Sequence, residues 1–215
     1  MDITFKDLIK LWGKPVNQEK IELDLTIGSI STDTRIIEKG DFFVPLVGNR
    51  FDGHDYLDIA FDIGIQAAIV SENYNGSIPS GLTHWVVRDT LFSYQQIAML
   101  HRRKLNLPVV AVTGSVGKTT TREMIRVILS SLGKIVSSRE NENNDIGVPK
   151  TLLRGTKNDS AYVIEMGMRG LGQIERLSKI AEPDIAVITN VGQAHIGILG
   201  SRENIAKASQ KLPQN

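Results

Sequence analysis

The segment 109–132 constrains the fold of this chain more than any other, because it predicts a strand, a glycine-containing turn and a helix in immediate succession. Residues 109–112 read VVAV, an apolar run of strand length, and the turn TGSVGKT follows at 113–119. Apolar residues then recur at helical spacing until Gly133. A helix that begins directly after such a turn presents backbone N–H groups and the positive end of its dipole to an anion. The segment therefore predicts a phosphate-binding turn of the P-loop kind.

The same turn carries the residue types that hold a nucleoside triphosphate and its magnesium ion. In a P-loop, a lysine reaches the β- and γ-phosphates and a serine or threonine hydroxyl binds Mg²⁺. Lys118 and Thr119 stand in the order that these roles require. The spacing differs from GxxxxGK[ST], because Val112 occupies the place of the first glycine and the first glycine is Gly114. The alternative is a strand-to-helix turn in which glycine serves the geometry and lysine serves solubility.

Downstream of the turn, apolar strands alternate with helices. Short apolar runs at 135–136, 161–164 and 184–189 predict strands, and apolar residues at helical spacing over 172–181 predict an amphipathic helix. Strands that are apolar on both faces are typical of a parallel sheet covered by helices on both sides. The second part of the chain, 91–215, is therefore expected to form a P-loop-type domain with a parallel sheet.

The first part of the chain, 1–90, mixes short elements with frequent glycine and aspartate. Its predicted elements, in chain order, are a helix at 4–12 opened by Thr4, extended segments at 22–30 and 41–46, a helix at 55–63, and strands at 67–70 and 84–88. Together they predict a small mixed α/β domain. A further helix is expected at 90–106, and the connection between the two domains is expected in or near it.

Composition narrows the function classes. The chain has 215 residues with 25 Lys and Arg against 24 Asp and Glu, and this balance argues against a nucleic-acid partner, which requires a basic surface. The absence of cysteine excludes disulfides, Cys-ligated zinc, iron–sulfur clusters and thiol catalysis. The amino terminus lacks the pattern of a signal peptide, and no run approaches the roughly 20 apolar residues of a membrane-spanning helix. We therefore expect a cytoplasmic protein without membrane insertion.

Two predicted strand ends carry side chains suited to a metal ion. Glu165 ends the strand at 161–164, and His195 follows the strand at 184–189. Because ligands bind at the carboxyl ends of parallel strands, both residues are expected on the same edge of the sheet as Thr119. Glu165 could bind Mg²⁺ directly or through water, or it could be an exposed carboxylate at a strand end. A single histidine is more often a loop or core residue than a ligand, so His195 alone decides nothing.

Polar loops offer candidate contacts for a substrate. The loop at 139–149 places Asn143 and Asn144 before a predicted helix, where asparagines either form turns and caps or bind a polar substrate. In the first domain, the loops at 31–35 and 48–54 carry hydroxyl, amide and guanidinium groups that could bind a sugar nucleotide or another anionic ligand. The aspartates of these loops could equally cap turns.

Taken together, these segments resemble the Mur ligase family, ATP-dependent enzymes that form amide bonds in peptidoglycan synthesis. The turn TGxxGKT is this family's own version of the P-loop, which accounts for the glycine spacing, although Val116 stands where asparagine is commonest. The other matching stretches occur in family order: TDTR at 32–35, GDFFV at 40–44, RFDGH at 50–54, NNDIGVP at 143–149, EMGMRG at 165–170 and TNVGQAH at 189–195.

The resemblance implies a reaction and its partners. ATP and Mg²⁺ would be the cofactors, and UDP-N-acetylmuramoyl-tripeptide and D-alanyl-D-alanine the substrates. The tripeptide carboxylate would be converted to an acyl phosphate, which the amine of the dipeptide would attack. The resemblance further implies a full-length enzyme that is a monomer, with no nucleic acid and no membrane among its partners.

The resemblance also implies roles for individual residues. Lys118, Glu165 and His195 would be catalytic. Thr119 and Glu165 would hold one Mg²⁺, and Glu165 and His195 would approach a second. The phosphates would be held by Gly114, Ser115, Val116, Gly117, Lys118, Thr119 and Thr120. The uridine part would contact Thr32, Thr34, Asn49, Arg50 and Phe51, and the sugar-phosphate and peptide part Asn143, Asn144 and Arg169.

Two departures from the family pattern leave other functions open. Family members are longer, so the resemblance implies that the central domain is incomplete and that a third domain is missing after Asn215. The family motif IAx[AE]K, whose lysine bridges the second metal, has Ser209 at the lysine position. The alternatives are a fragment that binds nucleotide or UDP-sugar without ligase activity, and a sister ligase that adds another amino acid.

Overall fold

The computed structural model describes residues 1–17, 22–168, 170 and 172–190, and within these residues it contains two four-stranded sheets. All strand pairs in both sheets are parallel. The chain divides into two units, Met1–Ile97 and Ala98–Asn215, and the boundary falls inside the helix Thr90–Leu105. The predicted fold class, α/β with a parallel sheet in the P-loop half, is confirmed.

In its described residues, the first unit contains a four-stranded sheet, two complete α-helices and the first part of the helix Thr90–Leu105. The helix α1 begins at a capping box, in which the Thr4 hydroxyl accepts from the Asp7 backbone N–H and the Asp7 carboxylate accepts from the Thr4 backbone N–H. The order of the strands follows the chain, β1-β2-β3-β4. The elements are α1 Phe5–Trp12, β1 Ile30–Ser31, β2 Phe42–Phe43, a 3₁₀ turn Gly53–Tyr56, α2 Leu57–Ile63, β3 Ala67–Ser71 and β4 His84–Val87.

The extended segment predicted at 22–30 is wrong at 23–25, which form a turn and a bend, whereas Thr26 pairs with Thr4 in an antiparallel bridge. The strand β1 begins only at Ile30, and Leu23 and Leu25 are 40% and 46% exposed. The backbone carbonyls of these two leucines accept from N–H groups at the start of α1, over 2.9 Å and 3.2 Å. The first N–H groups of a helix have no hydrogen-bond partner inside the helix, so two of those of α1 bond to these carbonyls. The leucine alternation therefore belongs to a segment that caps a helix.

The second unit contains the predicted strand–turn–helix and a four-stranded sheet of order β6-β7-β5-β8. The central strands β5 and β7 are buried, and the core forms where α5 and α6 pack on one face of the sheet. The elements are α3 Thr90–Leu105, β5 Val109–Thr113, α4 Lys118–Leu129, a 3₁₀ turn Ser130–Leu132, β6 Lys134–Ser137, α5 Gly147–Leu153, β7 Asp159–Glu165, α6 Gln173–Ala181 and β8 Ile185–Ile188. Among the described residues, no helix has both the length and the apolar character needed to cross a membrane.

The orientation of α4 differs from what its apolar spacing suggests. Met124 and Ile128 are 60% and 70% exposed, whereas Ile125 and Leu129 are half-buried, so only part of the apolar stripe faces the sheet. Arg122 is instead the buried residue of this helix, all of which is described. The burial of a charged residue on the inner side of α4 bears directly on the site at its amino terminus.

A buried histidine connects two loops of the first unit. The side chain of His54 has no exposed surface, and its Nε2 accepts from the Ser71 backbone N–H over 2.9 Å. Since Nε2 is an acceptor, Nδ1 carries the proton and donates to Asp52 Oδ1 at 2.5 Å. The ring also stacks on Tyr74 with centroids 4.8 Å apart. His54 therefore ties the end of β3 to the turn at 52–56.

We expect His54→Phe to lower the free energy of unfolding of the first unit by about 1–3 kcal/mol. An aromatic ring is kept, but the Ser71 N–H loses its acceptor and Asp52 loses the ring N–H, keeping only the backbone N–H of residue 54. Urea unfolding followed by tryptophan fluorescence measures this, since both tryptophans, Trp12 and Trp85, lie in the first unit. Tyr74→Phe is the matched control for loss of a polar atom near the same ring. Equal stability of His54→Phe and the parent would contradict the proposed tie.

Candidate nucleotide site at the carboxyl edge of the second sheet

The pairing of β5 with β7 places the glycine-containing turn beside Glu165. In the register of this pair, Val112 lies opposite Glu165, directly before the turn begins. The hydroxyl of Thr113 donates to the Met166 carbonyl over 2.9 Å, which holds the two strand ends together. Glu165 is buried, with 6% of its surface exposed. A carboxylate and an anion-binding turn therefore share the carboxyl edge of the sheet, where open α/β sheets bind ligands.

The turn at 114–117 has the backbone geometry that its glycines predict. Gly117 lies in the left-handed region with φ 84° and serves as the N-cap of α4. The Lys118 ammonium donates to the carbonyls of Gly114 and Ser115, over 2.7 Å and 3.3 Å, so it lies across the turn. Val116, Gly117, Thr119 and Thr120 are exposed. The predicted phosphate-binding residues thus lie together at the open amino terminus of α4.

Two residues that were not predicted as site residues brace the turn from β8. Asn190 accepts from the Val116 backbone N–H with its side-chain oxygen (3.0 Å) and from the Ser115 backbone N–H with its carbonyl (3.1 Å). The Thr189 hydroxyl donates to the Val116 carbonyl over 2.6 Å. Their position at the end of the strand predicted at 184–189 (Thr189) and directly after it (Asn190) was the available signal, because that strand ends at the same edge as the turn.

Glu165 binds side chains from two other segments. Its Oε2 accepts from the Thr119 hydroxyl over 2.9 Å, and its Oε1 accepts from the Asn143 amide over 3.0 Å. A carboxylate beside a threonine hydroxyl at a phosphate-binding turn is a donor set that suits Mg²⁺, which is commonly held by one or two carboxylates together with substrate phosphates and water. Within the described ranges, no three His, Asp or Glu side chains group as a metal site, so a cation here would take further ligands from phosphate and water.

The loop before α5 presents Asn143 and is held by Glu142. Glu142 Oε2 accepts from the Arg139 backbone N–H at 3.0 Å and from the Arg154 guanidinium at 2.6 Å. Burial raises the pKa of Glu142, but these hydrogen bonds outweigh it and hold the pKa below its ordinary value of 4.5. Asn144 uses its side-chain oxygen to accept from the backbone N–H groups of residues 146 and 147, so it caps the turn. Asn143 and Asn144, adjacent in sequence, therefore have different contacts.

The predicted uridine-binding residues lie in the first unit. Thr32, Thr34 and Phe51 line a cavity of about 320 Å³, together with Asp33, Arg35, Phe43, Gly53 and Tyr56. Asn49 and Arg50 are exposed in the turn that leads to Phe51. Arg169 and His195, the remaining predicted site residues, lie outside the described residues, as does Ser209.

Comparison with known proteins identifies the family. The model of the Mur ligase middle domain matches residues 112–215. A UDP-N-acetylmuramoyl-tripeptide–D-alanyl-D-alanine ligase from Synechocystis is 46% identical over 189 residues, which are 88% of this chain and 41% of the relative. Residues 112–215 belong to the Mur ligase middle-domain family, and the chain is similar to Mur ligases over most of its length.

Solved structures of Mur ligases agree with this chain in fold. A crystal structure of MurF from Acinetobacter baumannii superposes with a TM-score of 0.85 at 36% identity, covering 97% of this chain and 45% of that one. A MurF ligase from Thermotoga maritima, solved in complex with ADP, gives 0.78 at 32% identity, covering 86% and 43%. The chain thus spans less than half the length of these Mur ligases.

We expect Gly114→Ala to destabilise the second unit by about 1–3 kcal/mol more than Gly172→Ala. Both glycines have positive φ, 136° and 78°, but a Cβ at Gly114 would lie 2.1 Å from the Thr189 hydroxyl, whereas a Cβ at Gly172 would have no atom within 4 Å. The control thus carries backbone strain without a clash. Urea unfolding followed by circular dichroism gives both values, and equal losses would show that Thr189 does not pack against the turn.

We expect the destabilisation caused by Glu142→Gln to be largest at neutral pH and to shrink as the pH falls below 4.5. The folded pKa of Glu142 is lowered, so its carboxylate contributes stability above the unfolded pKa and loses it as the pH falls through the folded value. The measurement is the difference in unfolding free energy between parent and variant across this range. Glu140→Gln, at an exposed position nearby, controls for the change in net charge. A difference that is independent of pH would contradict this role.

Proposed function

We propose that this chain carries the nucleotide-binding part of an ATP-dependent ligase that joins D-alanyl-D-alanine to UDP-N-acetylmuramoyl-tripeptide. The observation that carries the proposal is the contact between Glu165 and Thr119 at the amino terminus of α4 (2.9 Å), next to the turn crossed by Lys118. The 46% identity to a ligase of this name and the fold shared with an ADP-bound MurF support it. The chain covers only part of these relatives, so the complete reaction is part of the proposal.

The residues present fit ATP and Mg²⁺. The α4 N–H groups and helix dipole would hold the phosphates, and the Lys118 ammonium would exchange its two loop carbonyls for phosphate oxygens. Thr119 would turn its hydroxyl proton away from Glu165 and offer its oxygen, with the Glu165 carboxylate, to the cation. The cation supplies neutralisation of the charge that develops on the transferred phosphoryl group.

The chain's own groups then position the reaction. In the proposed sequence, the tripeptide carboxylate accepts the γ-phosphoryl group of ATP, which forms an acyl phosphate and releases ADP. The dipeptide amine then attacks the carbonyl carbon, and formation of the amide bond releases phosphate and a proton. Asn143 holds Glu165 from the side opposite Thr119, which keeps the carboxylate aligned with the turn. Thr32, Thr34 and Phe51 would contact the uridine part in the cavity of the first unit. His195 would approach a second Mg²⁺ together with Glu165, and Arg169 would contact the sugar-phosphate and peptide part of the substrate. The full-length enzyme would be a cytoplasmic monomer.

We expect Lys118→Ala to abolish the thermal stabilisation of the chain by Mg²⁺–ATP and Mg²⁺–ADP while the melting temperature without nucleotide stays close to that of the parent. Lys157→Ala is the matched control, because Lys157 precedes β7 and therefore lies at the opposite edge of the sheet. Differential scanning fluorimetry with and without nucleotide measures both. Retained stabilisation in Lys118→Ala would refute a phosphate-binding role for this lysine.

Release of phosphate separates the ligase from the alternatives. Phosphate release that requires both UDP-N-acetylmuramoyl-tripeptide and D-alanyl-D-alanine supports the proposed reaction. Nucleotide binding without phosphate release supports a binding fragment. Release with a different amino component supports a sister ligase.

A further inference from the structure

Arg122 is a buried cation on the inner side of α4. It is 6% exposed, although charged residues are rarely buried unless they are paired. It follows Thr119 by one helical turn, so it faces the same side of the helix as the Thr119 hydroxyl. Three apolar residues of the helix, Met124, Val127 and Ile128, are by contrast exposed. A contact in the interior must therefore account for the position of Arg122.

The guanidinium of Arg122 faces Glu165. Its Nη1 lies 3.6 Å from Glu165 Oε2, the oxygen that also accepts from Thr119. At this distance the contact is an ion pair and not a hydrogen bond. Arg122 Nε and Nη1 have no hydrogen-bond partner in the part of the chain that the structure describes. On this side, the Arg122 guanidinium therefore faces the Glu165 carboxylate.

A second carboxylate holds the guanidinium from outside. Glu123 Oε1 accepts from Arg122 Nη2 over 2.7 Å, and Glu123 Oε2 accepts from Arg126 Nε over 2.8 Å. The hydrogen bonds from Arg126 and from Arg122 lower the pKa of Glu123 although burial opposes them, so Glu123 is a carboxylate at neutral pH. Arg122 is therefore fixed between one half-buried and one buried carboxylate.

We propose that Arg122 is a positioning residue that holds the Glu165 carboxylate before the divalent cation binds and then competes with the cation for it. The inference rests on the proposed function, which places the cation at Thr119 and Glu165. Both positive groups address Oε2, and a cation there would lie within a few ångströms of the guanidinium. Their repulsion weakens cation binding at this site, whereas the ion pair keeps Glu165 aligned while the site is empty of metal.

A double-mutant cycle tests the positioning half without any ligand. The melting temperatures of the parent, Arg122→Met, Glu165→Gln and the double variant are compared, with Arg122→Lys as the variant that keeps the charge. We expect the double variant to lose less than the sum of the two single losses. In a second cycle that combines Arg122→Lys with Glu165→Gln, we expect most of this non-additivity to disappear, because the lysine keeps the charge opposite Glu165. Additive losses in the first cycle would show that Arg122 acts only through packing and would overturn the inference.

Binding of Mn²⁺ in the presence of ADP, followed by electron paramagnetic resonance, tests the competition half. We expect Arg122→Met to bind Mn²⁺ about fivefold more tightly than the parent, because a positive charge next to the site is removed. Arg122→Lys should stay close to the parent. Unchanged or weaker binding by Arg122→Met would overturn the competition. A parent that binds no Mn²⁺–ADP would refute the proposed cation site itself, whereas the ligand-free cycle would still decide whether Arg122 positions Glu165.

Discussion

At the carboxyl edge of the second sheet, the structure depends on the contacts of one buried carboxylate, that of Glu165. It ends β7, accepts from Thr119 on α4 and from Asn143 in the loop before α5, and faces Arg122. Three segments distant in sequence therefore meet at one buried negative charge. Such a charge requires compensation, because its removal from water is costly unless it is paired and hydrogen-bonded. The helix, the strand and the loop are consequently fixed relative to one another.

The glycine-containing turn is held from the opposite side by β8. Asn190 and Thr189 bond its backbone, and the close approach of Thr189 to Gly114 leaves no room for a side chain there. The turn follows β5, which lies between β7 and β8 in the sheet, so the ends of β7 and β8 flank the turn. This arrangement leaves the amino terminus of α4 open and positively polarised, which explains how a chain with a net charge of only +1 can offer an anion site.

The sequence pattern was sufficient to predict features that depend on residues close together in the chain. The strand–turn–helix at 109–132 was predictable because glycine, lysine and threonine follow a buried strand at fixed spacing, and the Thr4 cap was predictable for a similar reason. Residues 23–25 were mispredicted because alternating leucines do not reveal that their carbonyls bond the start of α1. The two asparagines at 143 and 144 have the same sequence signal, but one contacts Glu165 and the other caps a turn.

The sequence by itself determined the fold class, the phosphate-binding turn and the resemblance to the Mur ligases, because all three are encoded in residue types and their spacing along the chain. The tertiary structure alone decided which side chains share Glu165. Arg122 is the clearest case. An arginine within an amphipathic helix is expected in solvent, and only the packing of α4 with Met124 and Ile128 outward brings the guanidinium to a buried carboxylate. Contacts between segments depend on the order of the strands in the sheet, and no local sequence pattern specifies that order.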